Sequence, residues 1–242
     1  MIKLADKHTE PQVKQMWKTC FDDTDEFIEL YFSEKYKNEN TLVYMQGNEV
    51  VASLQLLSYR FTFYGVEIPI AYISGACTLP SFRRKGLMGK LLVEAFILMQ
   101  QRDIPLSVLI PAENWLYDYY STYGYEKVFE KDDIKISVKE IWKKSDADLD
   151  VAYQVFNQLF KDKDFCIQKT KSDFITIIKD AEIDGFPPKT NLSGMARVID
   201  AEYLISLYKK KNPNNPIFFE NVNSLCRILF EQQRPIMNLM LE

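Results

Sequence analysis

The sequence predicts a mixed α/β fold, in which a mostly antiparallel sheet is flanked by helices and followed by a smaller, mainly helical C-terminal region. The first observation is the order of apolar patterns, which reads helix, helix, a run of locally connected strands, helix, strand, helix and two strands. The second is size, because 242 residues with 47% hydrophobic residues can build a sizeable core. The third is a basic turn between a strand pattern and a helix pattern.

Two helical patterns open the chain. Thr9 and Pro11 suit a helix start, and apolar residues then repeat at helical spacing as far as Phe21. An acidic run from Asp22 to Glu26 separates this helix from the second one. Negative charge near a helix N-terminus is stabilising in its own right, so the run is either a solvated cap or a lip that attracts a cationic substrate.

Strand patterns come next, and their connections are short. Gly47 and Asn48 form a two-residue hairpin signal, and Gly65 marks another turn, so adjacent antiparallel strands are expected. The strand patterns cover residues 41–46, 49–58, 60–64 and 67–78.

The last of these strands leads through a basic turn into a helix with an apolar stripe from Met88 to Met99. Such a corner gathers unpaired backbone N–H groups, the positive end of a helix dipole and the charges of Arg83, Arg84 and Lys85 at one point. This combination suits a pyrophosphate, and a solvated basic cap on an ordinary corner fits the same residues.

The remaining elements are less regular. A short buried strand is predicted at 107–110, then an aromatic-rich helix at 113–123 that Gly124 closes. Segments 125–128 and 134–138 are predicted to form a final antiparallel pair.

Composition and charge argue against several classes of protein. The net charge of −4 disfavours general nucleic-acid binding. The four cysteines are widely spaced and His8 is the single histidine, which argues against a metal centre and against Cys–His or Ser–His catalysis. Without a signal-peptide core or a stretch of about 18 apolar residues, we expect a soluble cytoplasmic protein with reduced thiols and no membrane partner.

The order of elements and two motifs resemble the GCN5-related N-acetyltransferase (GNAT) superfamily. Its signature is Arg or Gln, two residues, Gly, one residue, then Gly or Ala, and the segment from Arg83 to Met88 matches it except at Met88, which Gly89 follows. The stretch LPSFRRKGLMGKLL looks most like the enhanced-intracellular-survival (Eis) branch, in which that last glycine is commonly replaced. A Tyr-x-x-aromatic-Gly-aromatic motif of the same branch is matched by Tyr120 to Tyr125.

The resemblance implies acetyl-CoA as cosubstrate, bound where the strand at 76–79 splays from the one at 108–110. Backbone groups of Ala76 and Thr78 would pair with the pantetheine and polarise the thioester carbonyl, and the loop from Arg84 to Gly89 would hold the pyrophosphate. The cofactor-binding residues implied in this way are Ala76, Cys77, Thr78, Arg84, Lys85, Gly86, Leu87, Met88, Gly89 and Asn114.

Two residues are implied as catalytic. Tyr120 matches the position of the general acid in the Eis branch and would protonate the departing thiolate, although packing alone also suits an aromatic among Tyr117, Tyr119, Tyr123 and Tyr125. The apolar tail 235–242 predicts a docked C-terminal segment. By the resemblance, the main-chain carboxylate of Glu242 orients or deprotonates the amine; the alternative is that the tail merely completes a core.

The resemblance also predicts the domain organisation. Residues 1–140 form the acetyltransferase domain, and residues 141–242 form a reduced, mostly helical remnant of a second GNAT-like domain and a sterol-carrier-like domain. The segments MARVIDAEYL and PIMNLMLE resemble the start and the end of the sterol-carrier-like domain, and the second GNAT-like domain would lie before Met195. Both stretches of sequence are too short for these domains in full.

We therefore predict an N-acetyltransferase that transfers the acetyl group of acetyl-CoA to a primary amine by direct attack in a ternary complex. The acidic run and the net charge favour a cationic small-molecule amine. A non-catalytic acyl-CoA-binding or regulatory protein and a protein lysine acetyltransferase are the alternatives, and a homo-oligomer stays open.

Overall fold

The computed structural model describes residues 1–131, 135–187 and 189–241. Its strands are β1 (Ile2–Leu4), β2 (Thr41–Gln46), β3 (Glu49–Phe63), β4 (Val66–Thr78), β5 (Leu106–Leu109), β6 (Glu126–Phe129), β7 (Lys135–Ile136), β8 (Cys166–Gln168), β9 (Lys189–Thr190) and β10 (Gly194–Val198). Its α-helices are α1 (Glu10–Cys20), α2 (Asp25–Glu34), α3 (Leu87–Gln101), α4 (Asn114–Ser121), α5 (Val138–Lys144), α6 (Leu149–Phe160), α7 (Lys171–Ile183), α8 (Ala201–Lys211) and α9 (Val222–Phe230).

This architecture confirms the predicted fold class, a mostly antiparallel sheet with flanking helices and a mainly helical C-terminal region. Eight of the described strands belong to one sheet. The chain forms two compact units, Met1–Ser58 with Ala71–Asp103 and Tyr59–Ile70 with Ile104–Glu242. Within the described residues, no helix is long and apolar enough to cross a membrane.

The first unit contains β1, β2, the part of β3 up to Ser58 and the part of β4 from Ala71, in the strand order β1-β2-β3-β4. Its strands pair antiparallel, with Lys3 opposite Val43 and Val43 opposite Ser53. The predicted hairpin between β2 and β3 is confirmed, and Gly47 adopts the left-handed conformation that such a turn requires, with φ +59°. The two strand patterns at 49–58 and 60–64 are one continuous strand, because no turn residue interrupts the chain between them.

Helices α1 and α2 cover the first unit with aromatic side chains. Trp17, Tyr31 and Phe32 are buried, and the rings of Trp17 and Tyr31 lie 4.5 Å apart between centroids. Gly75 makes this packing possible, because a Cβ at this position would lie 2.5 Å from Cζ3 of Trp17. With φ +57°, Gly75 also bends β4 immediately before Ala76.

The second unit contains a strand order that the chain sequence does not suggest. Strand β10 pairs antiparallel with both β5 and β6, and Ala196 lies opposite Val108 on one side and Glu126 on the other. The predicted pairing of segments 125–128 and 134–138 is therefore wrong. Ile134 lies outside the described residues, and β7 pairs with β9.

The core of the second unit includes α5, α6, α7 and the C-terminal tail. Phe156 and Phe174 are fully buried and their rings stack with centroids 4.7 Å apart. Every residue from Met237 to Leu241 is at most 4% exposed. The prediction that this apolar tail is docked is thus confirmed for the residues that the structure describes.

Candidate functional site

The corner between β4 and α3 carries the basic loop. After one 3₁₀ turn at Pro80–Phe82, the backbone becomes left-handed at Arg84, with φ +60°, and again at Gly86, with φ +71°. A Cβ at Gly86 would meet no atom within 4 Å, so glycine is needed there for its backbone conformation and not for space. Left-handed residues in a short loop turn successive N–H groups toward one side, which forms a concave site for an anion.

Helix α3 starts at this loop and strengthens its positive potential. Gly86 is the N-cap, and no acidic residue lies in the first turn. The first-turn N–H groups of Leu87, Met88 and Gly89 therefore have no intrahelical acceptor, and the helix dipole is directed at the loop. At the end of the motif, Leu87 is buried and Met88 is half-buried, and Gly89, which follows the motif, is buried.

The basic side chains of the loop are exposed and weakly held. Arg83 donates from Nε to the carbonyl oxygen of Thr78 over 3.1 Å, which fastens the loop to the end of β4. Lys85 places its Nζ 4.7 Å from the ring centroid of Phe82. Arg84 is exposed. This arrangement concentrates positive charge beside the N–H groups of the corner.

The end of β4 presents alternate residues to opposite faces. Ala76 and Thr78 are half-buried, whereas Cys77 is buried and its Sγ lies 3.7 Å from Oγ of Ser53. Because successive side chains of a strand alternate, the Cys77 side chain points away from the face of Ala76 and Thr78. Cys77 can therefore serve a ligand on that face with its backbone alone.

A buried polar group lies behind the bend of β4. The Tyr31 hydroxyl is 3.0 Å from Oε1 of Gln55 and 2.9 Å from Oγ of Ser74. Burial raises the pKa of Tyr31, so its phenol stays neutral. These hydrogen bonds fix the strand in register where it bends.

The acidic run lies at the N-terminus of α2, where Thr24 is the N-cap. Thr24 accepts a hydrogen bond from the backbone N–H of Phe27, and Asp25 pairs with Lys18 over 2.5 Å. Asp23 accepts a hydrogen bond of 2.7 Å from the indole N–H of Trp17. Two of the acidic side chains are thus engaged by side chains of α1.

Asn114, implied as a cofactor-binding residue by the family resemblance, and Tyr120, predicted from the second motif, both lie on α4 in the second unit. Asn114 is exposed at the first position of the helix. Tyr120 is 7% exposed, and its ring contacts those of Tyr119 and Tyr125 at centroid distances of 5.3 and 5.8 Å. Burial raises the pKa of Tyr120 to about 12.

Glycine is required in this motif for a steric reason that the sequence does not reveal. Gly124 has φ +86°, and the Arg197 guanidinium of β10 occupies the space of its missing Cβ. Arg197 donates from Nη1 to the carbonyl oxygen of Tyr123 over 2.5 Å. Because Arg197 comes from a distant segment, sequence reasoning missed this contact.

The predicted site residues thus fall into three groups according to where they lie. Ala76 to Gly89 form one continuous segment of the first unit, and Asn114 and Tyr120 belong to the second. Glu242 lies outside the described residues. In the described part of the chain, no three His, Cys, Asp or Glu side chains are placed to hold a metal ion.

Comparisons with known proteins bear on the N-terminal half. The profile of the acetyltransferase (GNAT) domain matches residues 1–128. No curated protein matches the chain in sequence.

Solved structures show the same fold at low identity. The chain is similar to a probable N-acyltransferase from Enterococcus faecalis V583, with a TM-score of 0.60 and 17% identity, over 82% of this chain and 51% of that one. A GCN5-related N-acetyltransferase from Anabaena variabilis gives a TM-score of 0.53 and 20% identity, over 73% of this chain and 47% of that one. A GCN5-related N-acetyltransferase from Kribbella flavida gives a TM-score of 0.56 and 12% identity, over 86% of this chain and 73% of that one.

The chain spans about half the length of the first two of these structures. At such identities the likeness shows the fold, whereas the profile match covers more than half of the 242 residues. With the left-handed basic loop at the start of α3, these findings show that the chain belongs to the GNAT acetyltransferase family.

Proposed function

We propose that the protein is an acetyl-CoA-dependent N-acetyltransferase that acetylates a primary amine by direct attack in a ternary complex. The observation that carries this proposal is the corner at Arg84 and Gly86, where two left-handed residues lead into the uncapped N-terminus of α3. A pyrophosphate is the part of the cofactor that such a corner suits, because it offers oxygens to several N–H groups at once.

The end of β4 would hold the pantetheine. The carbonyl oxygen of Thr78 already accepts a hydrogen bond from Nε of Arg83 and lies 3.7 Å from Sγ of Cys20, so it is crowded on the side of α1. We therefore assign the backbone pairing at this strand end to Ala76 and to N–H groups of the strand. The left-handed conformation of Gly75, with φ +57°, supports this assignment, because it departs from regular strand geometry immediately before Ala76.

Tyr120 would donate its proton, or a hydrogen bond, to the departing thiolate. Its phenol has a pKa raised to about 12 and so remains protonated at neutral pH. An acid with so high a pKa gives up its proton late, when negative charge has developed on sulfur, and stabilises that charge by hydrogen bonding before then.

The Eis-like branch is our finer proposal for the family. It is supported by Met88 followed by the buried Gly89 at the end of the first motif, and by the second motif around Tyr120. The acceptor that we propose is a cationic small-molecule amine. Asp23 and Asp25 are already engaged by Trp17 and Lys18, so this choice rests on the net negative charge. The role of Glu242 stays a prediction.

The experiment compares two glycines with the same backbone conformation. Gly86→Ala and Gly47→Ala each replace a left-handed glycine with open space around it, so each should cost about 1 kcal/mol of stability. Only Gly86→Ala should weaken acetyl-CoA binding, by about tenfold or more, because only Gly86 shapes the anion site. Equal affinities for the two variants, measured by calorimetry, would overturn the assignment of the corner.

A second measurement separates catalysis from binding. Thiol release from acetyl-CoA is followed with a panel that contains a polyamine, an aminoglycoside and a lysine-containing peptide. Turnover on a small amine supports the proposal, and turnover on the peptide alone indicates a protein lysine acetyltransferase. Binding of acetyl-CoA without turnover on any amine indicates a non-catalytic acyl-CoA-binding protein.

A further inference from the structure

The end of α1 lies on the end of β4 in the first unit and brings two thiols together. Trp17 packs on Gly75, and one helical turn later the Sγ of Cys20 lies 3.7 Å from the carbonyl oxygen of Thr78. Cys77, the residue before Thr78, lies on the same strand face as Gly75, on which α1 packs, so its side chain faces the end of α1, and each of the two thiols shifts the pKa of the other. All four cysteines of the chain are free thiols in the structure.

The two thiols differ in exposure and surroundings. Cys20 is half-buried at the last residue of α1, whereas Cys77 is 7% exposed and lies 3.7 Å from Oγ of Ser53. Arg83 reaches the same Thr78 carbonyl as Cys20, at 3.1 Å, so a permanent positive charge lies beside the more accessible sulfur.

These neighbours bias the pair toward one thiolate. The hydrogen bond from Cys77, together with the hydrogen bond and charge of Arg83, lowers the pKa of Cys20 to about 7. The negative sulfur of Cys20 and burial raise the pKa of Cys77 well above its ordinary value. An accessible thiolate beside a protonated, buried thiol is the arrangement of an attacking and a resolving cysteine.

We propose that Cys20 and Cys77 form a redox-active dithiol that reacts with low-molecular-weight disulfides, with Cys20 as the nucleophile and Cys77 as the resolving thiol. The Cys20 thiolate attacks one sulfur of the disulfide, the S–S bond breaks, and one thiolate leaves and takes up a proton. Cys77 then loses its proton and attacks the Cys20 sulfur, which forms the Cys20–Cys77 disulfide and releases the second thiol. The small disulfide is reduced and the protein dithiol is oxidised.

This disulfide would fasten the last residue of α1 to β4 between Ala76 and Thr78. Both residues belong to the strand end that the proposed function assigns to the pantetheine. In this respect alone the inference rests on the proposed function, and it predicts that oxidation changes the affinity for acetyl-CoA.

The test uses the full chain and glutathione disulfide as the probe, with mass spectrometry as the readout. We expect the wild type to lose two hydrogen atoms and to have Cys20 and Cys77 protected from alkylation. Cys77→Ser should stop at a glutathione adduct on Cys20, and Cys20→Ser should form neither product. Cys166→Ser is the matched control, because Cys166 is a buried single thiol whose pKa burial raises to about 12, and this variant should react as the wild type does.

A second probe tests proximity without oxidation. Phenylarsine oxide condenses with two neighbouring thiols to form two As–S bonds and one water molecule, so one equivalent should block both cysteines in the wild type. The Cys77→Ala variant should not retain the arsenical. If Cys77→Ser does not fold, Cys77→Ala takes its place in the glutathione experiment.

Any of three results would overturn the dithiol. The first is that the wild-type protein keeps its glutathione adduct, and the second is that Cys20 reacts with glutathione disulfide no faster than Cys166 does. The third is that Cys77 can still be alkylated after phenylarsine oxide has been added. Equal acetyl-CoA affinities before and after oxidation overturn only the coupling to the cofactor. Failure of the reduced protein to bind acetyl-CoA contradicts the proposed function and leaves the dithiol result intact.

Discussion

The corner between β4 and α3 and the strand triplet β5, β10 and β6 are built in opposite ways. The corner consists of consecutive residues, and its shape follows from left-handed positions at Gly75, Arg84 and Gly86. The triplet joins residues 106–109, 126–129 and 194–198, and its shape follows from hydrogen bonds between distant segments. The shape of the corner is determined by local backbone conformation, and the shape of the triplet is determined by which strands pair with one another.

The difference matters for function because the two regions depend on different parts of the chain. The packing of the corner depends on α1, because Trp17 of α1 fills the space over Gly75. The motif around Tyr120 needs the C-terminal part of the chain, since Arg197 of β10 binds the carbonyl oxygen of Tyr123 beside Gly124. Residues past the family match therefore support a motif that lies within it.

The largest expected effect comes from removing β10. A fragment of residues 1–140, the predicted acetyltransferase domain, leaves β5 and β6 without their common neighbour. We expect this fragment to show no cooperative unfolding transition in urea, because the buried strand Leu106–Leu109 loses its antiparallel ladder partner.

The boundary at residue 140 stays a prediction until that measurement is made. A fragment that unfolds cooperatively with native-like circular dichroism would support the boundary. In the full-length chain, Ala196→Pro probes the same ladder, since proline in a strand with neighbours on both sides removes a ladder hydrogen bond.

A smaller effect is expected where the corner meets α1. Gly75→Ala places a Cβ 2.5 Å from the Trp17 ring at φ +57°, so it combines backbone strain with overlap and should destabilise the fold by about 3 kcal/mol. Gly47→Ala, at φ +59° with open space, should cost about 1 kcal/mol. Urea unfolding measures both, and equal midpoints would show that Trp17 moves aside without cost.

Much of this corner was predictable from the sequence, and the reasons are local. Glycine at positions 47, 65 and 86 marks turns that the structure confirms, since few other residues adopt their backbone angles. The basic loop was located from Arg83, Arg84 and Lys85 before a helical stripe. The predicted roles of these residues in binding remain to be tested by the variants above.

What the sequence did not predict depends on contacts between distant residues. No pattern in the sequence showed that the strand Gly194–Val198 lies between β5 and β6. The nearest strand in the chain was chosen as the partner of β6, and that choice was wrong. The meeting of Cys20 with Cys77 was missed for the same reason, because neither position carries a motif.

A catalytic prediction follows for the second region. Tyr120→Phe should lower turnover by about a hundredfold with little change in the binding of acetyl-CoA, since it removes only the proton that the thiolate accepts. Tyr119→Phe is the matched control, a half-buried neighbour on the same helix whose ring lies 5.3 Å from that of Tyr120. Steady-state kinetics decide the matter: unchanged turnover in Tyr120→Phe leaves Tyr120 as a packing residue.

The smallest expected effect is a pH profile in the first region. Because the hydrogen bond from Cys77 and the charge of Arg83 lower the pKa of Cys20 to about 7, alkylation of Cys20 by iodoacetamide should rise with pH and reach half its plateau near pH 7. Cys77→Ala removes the hydrogen-bond donor and should move this midpoint upward toward about 8.5, the value of an ordinary thiol. Arg83→Gln should move it in the same direction by less. A midpoint that stays near pH 7 in Cys77→Ala would show that Arg83 alone stabilises the thiolate, and the two sulfurs would then act independently.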